Sequence, residues 1–240
     1  LQAALGGYAC SAVGREAKMP LFAKTNGRFT VPATNRDQWE STVPKILYSP
    51  ASPYSTKVRM AALYAGVPVE NVLVDSNAEP VELVSANPLG KIPTLILDDG
   101  KAIFDSRVIT QYLNRMSGNK IFPRNAEKRL EAEQLESVAD GLCDVLLAHV
   151  YERRFHPEEK IHQPWLDRQW GKATRVLDHL NAAPPRLGKK IHGGHIALAA
   201  ALAYASLRFE GKWEKGRSKL KRWQKRFEEL HPDLAALLPK

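Results

Sequence analysis

Cysteine is nearly absent from this chain: Cys10 and Cys143 are the only two among 240 residues. They stand far apart and in unlike contexts, so there is no disulfide framework and no Cys-x-x-Cys pair, and a reducing, cytoplasmic setting is expected. No run of about 18 apolar residues occurs, which leaves no stretch that reads as a membrane-spanning helix. Walker loops, dinucleotide-binding glycine fingerprints, zinc-finger spacings, internal repeats and low-complexity tracts are also missing. His192 and His195 have no cysteine or carboxylate companions and make a thin set for a metal, so none is expected. Acidic residues are scarce in one region only. The net charge is +9, while residues 186–226 carry twelve bases and two acids. Such a run is ordinarily a solvated helical surface; the alternative is a face for RNA or an acidic partner.

Hydrophobic residues at 44% and charged residues at 25% are ordinary for a globular protein, and 240 residues suffice for one large domain or two small ones. Residues 1–44 show no sustained period and are read as a flexible extension without assigned chemistry. From Lys45 the pattern sharpens. Lys45–Tyr48 reads as a short buried strand, ended by Ser49-Pro50. Ser52 then stands at an N-cap with Pro53 at the first helical position, Val58, Ala61, Ala62 and Ala65 recur at helical spacing, and Gly66 closes the helix. Val67–Asp75 reads as a strand and Glu79–Ala86 as a short helix stopped by Asn87-Pro88. Thr94–Leu97, the turn Asp98-Asp99-Gly100 and Lys101–Phe104 form a hairpin, followed by a helix over about 106–117. Beyond the linker 119–125 strand signals vanish. Helical periods cover roughly 126–153, 164–182, 195–209 and 217–230, punctuated by Pro184-Pro185 and Pro232. Pattern alone gives a mixed α/β segment and then an all-helical one.

Three short pieces carry the candidate chemistry: Ser52-Pro53-Tyr54-Ser55 after the first strand, the loop Asn87-Pro88-Leu89-Gly90-Lys91-Ile92-Pro93, and Asp105-Ser106 at a helix start. A free thiol has a pKa of about 8.5 and is mostly protonated at neutral pH, yet the thiolate is the nucleophile. A helix N-terminus offers unpaired N–H groups and a positive dipole end that stabilise an anion, and the Ser52 hydroxyl can add a hydrogen bond. The plain alternative is that Ser52 only caps its helix. Tyr48, at the end of the first strand, is the rival donor to such an anion, since a phenol is the better acid; the plain reading is a core aromatic. Helix geometry is expected to turn Tyr54 and Ser55 elsewhere. Asp105-Ser106 suits an anion at a helix start, or is a routine capping pair.

In this order and spacing the three pieces resemble the glutathione-binding half of a cytosolic glutathione S-transferase of the bacterial type, with serine at the thiol-activating position. The resemblance extends over residues 45–240. It implies a thioredoxin-like βαβαββα domain over 45–118 and an all-helical domain over 126–240. It also implies glutathione as co-substrate, an electrophilic and mainly apolar small molecule as second substrate, and a homodimer. By the same resemblance Pro93 is cis and Ile92 pairs with the cysteinyl backbone of glutathione. Lys91 reaches its glycine carboxylate, Ser106 binds the γ-glutamyl carboxylate and Asp105 takes the α-ammonium, with Arg107 assisting or exposed. His149, Tyr151, Arg154 and Phe155 lie where that family lines its second-substrate pocket, Tyr151 and Phe155 being the residues retained. The family often opens its central C-terminal helix with a Ser/Thr-x-x-Asp capping box; His192-Gly-Gly-His195 stands here instead, so the box is expected to be missing. A non-catalytic module of the same fold, working through the basic stretch 186–226, is the competing expectation. In that stretch Leu220, Trp223, Phe227 and Leu230 share one helical face and are read as core anchors.

Overall fold

The computed structural model describes residues 43–239, so the extension expected over 1–44 lies, up to residue 42, outside the described residues. The first half alternates strands and helices: β1 (Lys45–Tyr48), α1 (Pro53–Ala65), β2 (Glu70–Leu73), α2 (Val81–Ala86), β3 (Thr94–Ile96), β4 (Ala102–Ile103) and α3 (Ser106–Met116). The sheet order is β2-β1-β3-β4, with β1 parallel to β2 and antiparallel to β3, and β3 antiparallel to β4. This is the thioredoxin-like arrangement. The second half is helical: α4 (Ala126–Phe155), α5 (Gln163–Ala182), α6 (Gly193–Phe209), α7 (Ser218–Leu230) and α8 (Pro232–Ala235). No described helix is long and apolar enough to cross a membrane.

Boundaries shift where backbone partners decide them. The expected strand at Val67 starts only at Glu70, because Gly66 takes a left-handed φ of 70° and the Val67 N–H turns back to the Ala62 carbonyl at 3.0 Å. That closes α1 in the manner of a Schellman turn. Glu79 adopts a φ of 46° and Pro80 becomes the N-cap of α2, which delays that helix to Val81. Pro232, read as punctuation, instead opens α8 from its first turn.

Helix α6 is the central post. Its sequence is apolar on all sides, and every residue from Gly193 to Ala205 is buried, which fits a helix enclosed by neighbours rather than one lying on a surface. It packs against α4 and α1. The approach is close: a Cβ on Gly194 would lie 2.5 Å from the Ala132 carbonyl oxygen, and one on Gly193 the same distance from the Phe122 ring. From α7, Leu220, Trp223 and Phe227 enter the core as expected, while Leu230 is only half-buried.

The cap at the start of α6 differs from expectation. It is not missing but made by histidine. His195 Nδ1 accepts the His192 backbone N–H at 3.2 Å, and Nε2 faces the Arg186 carbonyl at 3.1 Å, so the ring is held as the neutral Nε2–H tautomer. Its face stacks at 6.3 Å on Trp223, whose indole N–H donates to the Pro185 carbonyl. The two imidazole centroids are 3.8 Å apart. Burial pushes both rings down to about 4, helped by His195 in the case of His192 and by His231 in the case of His195, against the pull of the Arg186 carbonyl.

The sign follows from these folded values lying below the ordinary 6.5. The unfolded chain takes up protons first on acidification, so the contribution is complete above pH 6.5 and drains as pH falls toward 4. For His195 alone the loss reaches about 2 kcal/mol by pH 5. Urea unfolding at pH 7.5 and at pH 5 measures it: the wild-type midpoint is expected to fall further than that of a His192→Ser/His195→Asp double variant, which restores an oxygen-based box.

Candidate active site

The chain leaves β1 through a tight turn in which the Ser52 N–H donates to the Ser49 carbonyl at 3.1 Å. Ser52 then caps α1: its Oγ accepts the Ser55 N–H at 3.2 Å and its carbonyl the Thr56 N–H at 3.0 Å. Pro53 has no N–H to offer. Two donors are left at this helix end, the Tyr54 N–H and the Ser52 hydroxyl proton, neither with a partner among the described residues. A cavity of about 900 Å³ opens in front of them, within the range of small-molecule sites.

Ser52, Lys91, Ile92, Pro93, Asp105, Ser106, Tyr151 and Phe155 all line that cavity. The loop before β3 is held from below by Asn87, which is buried; its Nδ2 donates to the Lys91 carbonyl at 2.9 Å and to Thr94 Oγ1 at 3.2 Å, and its Oδ1 accepts the Leu89 N–H. The Ile92–Pro93 peptide bond is cis. At the start of α3, Asp105 Oδ1 accepts the Arg107 and Val108 N–H groups at 3.0 and 3.4 Å, which leaves Oδ2 unspent. Ser106 beside it is buried. The opposite wall comes from α4 and α6. There the Tyr151 and Phe155 rings meet edge to face at 5.1 Å and are 41% and 56% exposed.

Three side chains bear on the sequence readings, Tyr48 in line with its plain reading and Tyr54 and His149 against expectation. Tyr48 is not on the cavity; its ring lies under the Arg59 guanidinium at 4.1 Å, and Arg59 in turn donates to Asn71 on β2. Tyr54, expected to face elsewhere, does line the cavity, and its hydroxyl donates to Asp144 on α4. Burial and that acceptor push the Tyr54 phenol far above its ordinary range, so it is a fixed donor rather than an acid. His149 is turned from the cavity to pack between Trp170 and Phe209, and burial lowers its pKa.

Sequence reasoning missed the charges under the site. Lys57, one turn into α1, is 1% exposed. Its ammonium reaches both oxygens of Asp140 at 2.9 and 2.8 Å and Glu136 at 3.2 Å. Arg107 Nε meets the same Asp140 at 2.8 Å. Two cations and two carboxylates thus balance across α1, α3 and α4. Burial pushes the Glu136 carboxyl up, opposed by Lys57. The available signal was a Glu136/Asp140 pair at helical spacing among the buried Ala132, Ala139 and Leu142. Cys143, the one cysteine among the described residues, is buried beside this network and burial raises its thiol pKa well above the ordinary range.

Comparison with known proteins agrees with this fold. Residues 51–116 match the glutathione S-transferase N-terminal domain and residues 163–226 the glutathione S-transferase C-terminal domain. The uncharacterized GST-like protein YibF of Escherichia coli K12 is 30% identical over 169 residues, spanning 68% of this chain and 83% of that protein. A glutathione S-transferase from Methylobacillus flagellatus KT, solved with glutathione bound, superposes with a TM-score of 0.75 at 31% identity, covering 82% of this chain and all 100% of that one. A glutathione transferase family member from Pseudomonas fluorescens Pf-5, also with bound glutathione, gives 0.75 at 32% identity over 82% and 99% of the two chains.

Removing one partner of a buried ion network leaves charge without compensation, at a cost of about 3–5 kcal/mol. Lys57→Met is therefore expected to lower unfolding stability by that amount in urea titration. Replacing Lys57, Glu136 and Asp140 together by apolar residues of similar volume is expected to recover most of it.

Proposed function

This chain belongs to the glutathione S-transferase family, and on that premise we propose that it binds glutathione, raises the thiolate fraction and directs the sulfur at an electrophilic small molecule. The observation that carries the reading is the end of α1: a serine whose hydroxyl accepts the Ser55 N–H at 3.2 Å, and so is fixed in orientation, while its own proton is unspent at the cavity. A thiolate there meets the Ser52 O–H, the Tyr54 N–H and the positive end of the helix dipole. The Tyr48 ring, engaged under the Arg59 guanidinium, favours Ser52 over Tyr48 for that role.

The remaining residues fit the rest of the tripeptide. The backbone of Ile92 suits pairing with the cysteinyl unit in the manner of an added strand. Ser106 at the start of α3 suits the γ-glutamyl carboxylate, and the unspent oxygen of Asp105 suits the α-ammonium. Lys91, exposed at the rim, suits the glycine carboxylate. The electrophile then rests its apolar body on Tyr151 and Phe155. In the reaction the sulfur lone pair forms a C–S bond; the displaced group leaves with the electron pair of its bond to carbon, or an activated double bond takes up the electrons and a solvent proton. The protein supplies position and electrostatics, and the thiol proton passes to solvent. Activity in the cytoplasm as a homodimer belongs to the same proposal.

Calorimetry with glutathione, with the ultraviolet absorbance of the bound thiolate recorded alongside, tests it. The intact chain is expected to bind and to show thiolate. Ser52→Ala is expected to keep binding within a few-fold, to lose the thiolate signal, and to lose about a hundredfold in kcat/KM with a reactive aryl halide. No binding by the intact chain would overturn the reading, and equal thiolate in both would move the role to the backbone amide.

A further inference from the structure

The acids on the cavity wall each hold a partner, whereas Lys91, Arg154 and Arg208 are in no ion pair among the described residues; with Lys91 assigned above to the glycine carboxylate, the two arginines remain. Asp140 holds Lys57 and Arg107, Asp144 holds Tyr54, Asp105 caps α3, and Asp75 accepts the Asn77 N–H. Arg154 from the last turn of α4 and Arg208 from the last turn of α6 also line the cavity. Neither takes part in an ion pair among the described residues. The acid nearest to Arg154 in sequence, Glu152, is spent on the His162 N–H and on His156. A basic residue in a last helical turn complements the dipole, which accounts for one arginine on each helix but not for both lining one cavity.

A third group stands with them. Tyr204, one turn before Arg208, is 2% exposed and lines the same cavity. Burial pushes its phenol up to about 12 against the pull of Arg208, whose guanidinium lies 5.9 Å from the ring centre. Arg208 donates toward the Tyr204 oxygen, and since guanidinium only donates it cannot take up the phenol proton, which stays available to a ligand. Arg154 lies at the same distance from Tyr151, whose ring faces Phe155. Tyr151 and Phe155 thus share the cavity with a phenol donor and two guanidinium groups that hold no carboxylate among the described residues. A neutral electrophile leaves all three donors to water; a carboxylate uses them.

We infer that Arg154, Arg208 and Tyr204 form an anion subsite, and that the preferred second substrate is an aromatic or conjugated electrophile bearing a carboxylate. This rests on the glutathione transferase reading and deepens it. The arginines act on specificity; they do not touch the sulfur.

Binding of preformed conjugates separates the inference from its premise. Three titrations are run on the full chain: glutathione, S-(4-carboxy-2-nitrophenyl)glutathione and the methyl ester of that conjugate at its aryl carboxylate. The expected result is that glutathione binds and that the aryl carboxylate binds about tenfold tighter than the ester, in line with charge-assisted hydrogen bonds. The preference is expected to shrink severalfold in Arg208→Gln and in Tyr204→Phe, and to vanish in Arg154→Gln/Arg208→Gln, with added salt weakening it in the wild type only. Glutathione binding with equal affinity for acid and ester overturns the subsite while leaving the transferase reading intact. Failure of glutathione itself to bind removes both.

Discussion

A buried ammonium sets the geometry of this protein. Lys57 is enclosed by Asp140 and Glu136, and its three contacts fall between 2.8 and 3.2 Å. Desolvating such a charge is tolerable only with close counter-charges, and the pairs are then unforgiving of displacement. Because Lys57 sits one turn inside α1 and Asp140 midway along α4, the network fixes the helix end that carries Ser52 against the helix that carries Tyr151 and Phe155. Arg107 ties the start of α3 to the same carboxylate. The three walls of the cavity therefore share a single electrostatic anchor, and the hydrogen bond from Tyr54 to Asp144 adds a second tie one turn further along α4.

Behind that anchor lies α6, and its role is steric. Gly193 and Gly194 let its first turn touch Phe122 and the backbone of α4, so the helix enters the core with almost no room to shift. Its far end delivers Tyr204 and Arg208 to the cavity. The histidine cap governs only the entrance to this helix, yet the entrance determines where the exit points.

Much of the fold was legible because its signals are local. Ser52-Pro53 reads as a helix start from two residue types, Gly66 as a stop, and Asp98-Asp99-Gly100 as a hairpin turn. Each of the three site segments carries its own punctuation. Charge pairing is different in kind: Lys57 and Asp140 are 83 positions apart, and nothing in either neighbourhood names the other. Tyr54 was misjudged for the same reason, since its acceptor lies on a distant helix. The His192/His195 cap was missed because imidazole is seldom the acceptor at a helix start, although the ring nitrogen is chemically fit for it. Tyr48 illustrates a partner that only tertiary packing supplies, the Arg59 guanidinium over its ring. In the basic stretch 186–226, Arg217 is spent on Asp178 and the carbonyl of Trp213, while Lys219, Lys221, Arg222, Lys225 and Arg226 are exposed around the buried Leu220, Trp223 and Phe227.

Cys143 has a consequence for redox partners. No cysteine lines the cavity among the described residues, and the thiol nearest its floor is shut away and held protonated by its surroundings. A disulfide entering the cavity meets the Ser52 hydroxyl at the start of α1 and no sulfur among the described lining residues. The described wall therefore offers no thiol with which such a disulfide could exchange. Oxidation of the surrounding thiol pool thus finds, on the described wall, no sulfur to which it could attach.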